Sequence, residues 1–271
     1  MLGKVIKYDF KAVARFLLPF YGVLLLSSAL TNISGAIRNT EALKGNMFFN
    51  LASGLSVTLY VLSTILALVG TEIILIIHYY KRFTGDEAYF TFTLPASHDT
   101  QLLGKLLNGA IWTFISVAVV VASVFILLAG KVSGDQIRAI WMQAKPVLAQ
   151  FVGAFGSKFE FGGIVALWVI MVLFANQMEL YFCITAGQII KGHRILGAFV
   201  SYMVLKFVQQ IIQAVLSLTQ YTSFRDAVLA DSMSMTWVSP YMWLTMIELI
   251  VFLVIEYVVT SLLLKKSLNV E

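Results

Sequence analysis

The chain has 271 residues, of which 59% are hydrophobic and 12% charged, with a net charge of +5 and a mean hydropathy of +0.87. Soluble domains carry about 25% charged residues, and here long uncharged runs cover Phe16–Ile37, Gly45–Thr71, Leu106–Gly130, Phe161–Met178 and Phe207–Phe224. Runs of this length cross a bilayer as helices, so the composition predicts an all-α polytopic membrane protein and excludes soluble, disordered, nucleic-acid-binding and disulfide-rich classes. The runs are continuous rather than alternating, which also excludes a transmembrane β-barrel.

In chain order, the N-terminus places Leu2, Ile6, Phe10 and Val13 on one helical stripe and Lys4, Lys7, Lys11 and Arg15 on another. This pattern predicts an interfacial helix on the inner leaflet that feeds directly into the first span. The apolar stretch that follows is too long for a signal-peptide core and has no A-x-A site after it. Six spans are predicted near 16–36, 55–78, 106–129, 162–188, 195–218 and 240–264, in a single membrane domain covering 1–271. The connection 81–105 contains a capping box, Thr84 with Glu87, reinforced by Asp86 in the first turn. It predicts a short helix that presents Tyr89, Phe90 and Phe92 and stops before Pro95. Ser97 is positioned to cap the next helix, with Asp99 in its first turn.

Beyond the third span, segment 131–160 places Ile137, Ile140, Trp141, Ala144, Leu148, Phe151 and Val152 on one face, with Pro146 as a break. It reads as an outer amphipathic segment that rests on the leaflet or caps the bundle. The last three spans contain ionisable residues. Lys206 falls near the middle of the fifth, where an unpaired cation costs about 2.5–3.5 kcal/mol. It shares a broad helical face with Tyr202, Gln209, Gln210, Gln213 and Ser217, and such a face must meet protein or water. Glu179, Glu248 and Glu256 are the available counter-charges. These residues form either part of a translocation route or a buried structural ion pair. Glu72 stands nearer the inner end of the second span.

Orientation follows from the cations. With the N-terminus inside, the inner face holds Lys4, Lys7, Lys11, Arg15, Lys81, Arg82, Lys105, Lys191, Arg194, Lys265 and Lys266. The outer side holds Arg38, Lys44, Lys131, Arg138, Lys145, Lys158 and Arg225. The excess predicts both termini in the cytoplasm. Motifs for chemistry are missing. The Gly-Lys pairs 3–4, 104–105 and 130–131 lack the spacing of a phosphate loop, there is no H-E-x-x-H, G-x-S-x-G or G-x-G-x-x-G, and the lone Cys183 can form no intrachain bridge. No catalytic, cofactor-binding or metal-binding residue is assigned.

The connection resembles the signature region of type 2 ABC exporter permeases, in which a charged segment after the second span precedes a Leu-Pro-x-Ser turn and a Leu-Leu-x-Lys helix. Here these are Asp86-Glu87, Leu94-Pro95-Ala96-Ser97 and Leu102-Leu103-Gly104-Lys105. The opening Met1–Lys11 is similar to the N-termini of many such permeases in Gram-positive bacteria. The resemblance implies a coupling helix at about 84–93, whose residues Thr84, Asp86, Glu87, Tyr89, Phe90, Phe92, Leu94 and Pro95 seat in a separate ATPase. It implies two ATPase subunits that bind the ATP and Mg, a second permease (identical or homologous), and residence in the bacterial plasma membrane. This chain would then be no enzyme itself. Its cargo would be amphipathic or lipid-like, such as an antimicrobial peptide. The length of 131–160 departs from the family pattern and leaves the cargo class open. Two other readings are a proton-driven secondary transporter using Glu179, Lys206 and Glu256, and a non-transporting scaffold or sensor.

Overall fold

The structure, a computed structural model, describes residues 2–38, 40, 46–83, 97–190, 192–229 and 238–267. Among these the chain is helical throughout: α1 Leu2–Arg38, α2 Met47–Phe83, α3 His98–Leu128, α4 Gly134–Ala154, α5 Lys158–Gly187, α6 Arg194–Leu229 and α7 Val238–Ser267. Six of them, all but α4, are long and apolar enough to cross a membrane, and each matches one predicted span, α3 and α5 ending one residue short of it. They overrun the predictions because a helix does not stop at the edge of the hydrocarbon. The 37 residues of α1 extend about 55 Å at 1.5 Å per residue, against a core of about 30 Å.

The chain divides into two compact units, Met1–Gly134 and Asp135–Glu271. In the first, α1 packs on both α2 and α3. Asp9, Val13, Leu17, Tyr21 and Leu24 recur at helical spacing on one stripe of α1, and all are buried. They meet Ala67, Leu75 and Trp112 in the core. Residues 2–15 form the first turns of α1 and feed directly into the apolar span, and the buried stripe runs without interruption from Asp9 into that span. Lys4, Lys7, Lys11 and Arg15 are exposed on the other side, as the charge pattern requires.

Hydroxyls stitch the α1–α2 seam. Ser27 meets Ser63 at 2.6 Å, Ser34 meets Ser56 at 2.7 Å, and Tyr21 meets Thr71 at 3.0 Å. Partner numbers fall along α2 as they rise along α1, so the two helices are antiparallel. Small hydroxyl residues allow close approach between helices, and in lipid their hydrogen bonds help replace the missing hydrophobic drive. Asn32 Nδ2 lies 2.6 Å from Ile126 O and 2.8 Å from Ala129 O. It thereby donates to carbonyls of the last turn of α3, where the regular i→i+4 bonds run out, and Ile126 O also accepts from the Ala129 N–H.

In the second unit α5 is central, packing against α6 and α7. Its C-terminal half is almost wholly enclosed, with Gln177, Met178, Glu179, Tyr181, Cys183, Ile184 and Thr185 all buried. Ser157 caps α5, accepting from the Glu160 N–H at 3.1 Å. The α5–α6 junction depends on two glycines. A Cβ on Gly187 would stand 2.7 Å from Ala198 Cα, and one on Gly197 2.5 Å from Gly187 O. The amphipathic segment forms α4, but Pro146 lies inside the helix rather than breaking it. Its missing N–H interrupts a single i→i−4 bond, and the regular turns on either side carry the helix through. Ile137, Ile140, Trp141 and Leu148 on the apolar face of α4 are exposed.

Candidate functional site

The predicted coupling residues Thr84, Asp86, Glu87, Tyr89, Phe90, Phe92, Leu94 and Pro95 lie outside the described residues. The structure does describe both helix ends that carry this connection. α2 closes with Tyr79 stacked on Phe83, ring centroids 4.9 Å apart. α3 opens at His98 with Ser97 as its cap, accepting from the Thr100 N–H at 3.3 Å, as the sequence predicts.

These ends are tied to α1 through one carboxylate. Asp9, 1% exposed, pairs with Lys105 Nζ of α3 at 2.6 Å and with Arg82 Nη1 of α2 at 2.8 Å. His78 Nε2 is 3.4 Å from the same carboxylate and 3.0 Å from Lys105 Nζ. An ammonium has donors only, so the nitrogen of His78 accepts from it. Lys105 is itself 4% exposed. Charges this enclosed are stable only as partners, so a single acid holds three helices together where the connection leaves them. Gly104 lets α1 approach: a Cβ there would stand 3.1 Å from Val5 Cγ1. In the sequence, Arg82 and Lys105 count toward topology, Lys105 also closes the Leu-Leu-x-Lys motif, and neither pattern gives Asp9 a role. The available signal was that Asp9 is the only acid among the first forty residues and falls on the apolar stripe, one turn before Val13.

Between α2 and α3, Glu72 accepts from Thr113 Oγ1 at 3.0 Å. Both line a cavity of about 220 Å³ with Leu68, Val69, Ser116 and Val117, so this half-buried acid is engaged inside the unit.

The second unit contains its own charge centre. Lys206 Nζ of α6 lies 2.8 Å from each carboxylate oxygen of Glu179 on α5 and 3.2 Å from Gln209 Oε1. The Tyr202 ring centroid is 5.6 Å from the ammonium, within range of a cation–π contact. Three acids were available to Lys206, and the geometry selects Glu179. Glu256, 2% exposed, stands on α7, the helix that packs against α5. Glu248 is buried two turns away along α7 and takes no part, and Gln210 and Gln213 are exposed on α6. The predicted polar stripe is therefore split, with Tyr202, Lys206 and Gln209 facing α5 and the other two glutamines facing away. No group of three or more His, Cys, Asp or Glu residues able to hold a metal ion occurs among the described residues.

Compared with known proteins, the chain matches no family model, no curated protein and no solved structure.

Proposed function

We propose that this polytopic helical membrane protein is the transmembrane permease subunit of an ATP-driven exporter of the type 2 ABC class, in a bacterial plasma membrane with both termini in the cytoplasm. One observation carries the reading. Asp9, within the first stretch that resembles the family (1–11), pairs at 2.6 Å with Lys105, the last residue of the second (86–105). Lys105 closes the Leu-Leu-x-Lys motif, and Arg82 closes α2 immediately before the connection. The same carboxylate therefore grips both helices that flank the segment 84–96.

In this reading the segment seats in a separate ATPase through Tyr89, Phe90 and Phe92. A push on it reaches α1, α2 and α3 together because the Asp9 cluster fastens their ends. ATP-driven closure of two ATPase subunits then biases a pair of permeases between two states, as any ligand does that binds one state better. The cargo is amphipathic or lipid-like. Replacing Tyr89, Phe90 and Phe92 together with Ala is expected to abolish co-purification of an ATPase while membrane insertion stays normal. Retained association refutes the coupling assignment.

A further inference from the structure

The second unit buries two carboxylates around a single ammonium. That ammonium, whose side chain is 45% exposed, donates to Oε2 of Glu179 and to Oε1 of Gln209. Among the described residues its ion pair is with Glu179, not with Glu256. The charged and titratable groups that reach Glu256 are Glu179 and Cys183 from α5 and Lys206 from α6. On α7 itself the next acid, Glu248, is about 12 Å away along the axis at 1.5 Å per residue. Glu256 is 2% exposed, and its Oε1 has no hydrogen-bond partner among the described residues. Ionised, it would be a desolvated and unpaired anion beside the charge of Glu179, a condition that buried ions do not survive without compensation. Two carboxylates with no third ligand do not suit a divalent cation, which takes six or more oxygens.

We propose that Glu256 is a proton-binding site, its carboxyl holding one proton beside the fixed Glu179–Lys206 ion pair. Two acids and one base then carry no net charge. The site is thus a one-proton centre within the membrane, beside the Glu179–Lys206 pair.

The test is infrared spectroscopy of the purified full chain in lipid nanodiscs at neutral pH, reading the carbonyl stretch of protonated carboxylic acids. The wild-type minus Glu256→Gln difference is expected to contain an acid band equivalent to one group per chain, with the carboxylate bands unchanged. Gln has the shape of the neutral acid, so folded yield and melting temperature stay at wild-type values. In Glu179→Gln the neighbouring anion is gone and the ammonium has lost its carboxylate, so Glu256 ionises in its place. One acid band is then lost while the carboxylate count stays the same, because Glu256 ionises as Glu179 disappears. The proposal is overturned if Glu256→Gln removes carboxylate absorption instead, or if Glu179→Gln removes a carboxylate and leaves the acid band untouched. The second variant decides the matter even if the first fails to fold. No ATPase or cargo is needed, so the result is independent of the exporter reading.

Discussion

Single residues in this protein matter most where a charge is enclosed. Asp9 holds Lys105, itself almost wholly buried, and also reaches Arg82, whose side chain is 35% exposed. If Asp9 becomes Asn, Arg82 can turn toward water but Lys105 cannot, and removing one partner from a buried pair costs about 3–5 kcal/mol. Asp9→Asn is therefore expected to lower the melting temperature and folded yield sharply in detergent. Adding Lys105→Met is expected to recover much of the loss, because the buried ammonium deprived of its carboxylate goes with it. A double variant as unstable as the single one contradicts the clamp. At this scale the sequence was only half legible. Lys206 stood out because a cation amid apolar residues demands a partner, and a set of three candidate acids containing the right one could be written down. The choice among Glu179, Glu248 and Glu256 was not legible, because depth along a helix fixes neither its rotation nor its neighbour. Asp9 was overlooked because four nearby cations seemed sufficiently explained by topology.

At the scale of helices, close approach decides more than propensity. Gly187 and Gly197 bring α5 and α6 together so tightly that a methyl on Gly187 would press on Ala198 Cα and, at 2.8 Å, on the Arg194 carbonyl. These are backbone atoms, which cannot rotate aside, and such overpacking costs about 1–3 kcal/mol. Gly187→Ala is expected to destabilise the second unit by that order in a thermal melt. Gly163→Ala, in the same helix with nothing within 4 Å of a new Cβ, is expected to leave stability unchanged or raise it by about 0.5–1 kcal/mol through helix propensity. Equal effects of the two substitutions would refute the packing account. Spans and caps were legible at this scale because they depend on local pattern: every apolar run became a helix and Ser97 caps α3. Continuity was not. Pro146 suggests a break, which the regular turns on either side override.

For the whole molecule, six long apolar helices in two compact units make a polytopic membrane protein from composition alone. The pairings inside each unit come from side chains that no hydropathy profile weighs, such as the serine and threonine seam between α1 and α2, the Asn32 cap on α3 and the two charge centres. In the proposed exporter, the work of the assembly would rest on the segment between α2 and α3 and on the partner it seats in. Without a phosphate-binding loop in the chain, the exporter account requires a partner that supplies the ATP chemistry. The most direct measurement is the intact mass of the complex purified from its native membrane in mild detergent. The account predicts a particle with two permeases, each this 30.1 kDa chain or one of them a homologue, and two Walker A ATPase subunits. A particle with no ATP-binding subunit, under conditions that keep membrane complexes whole, would contradict it.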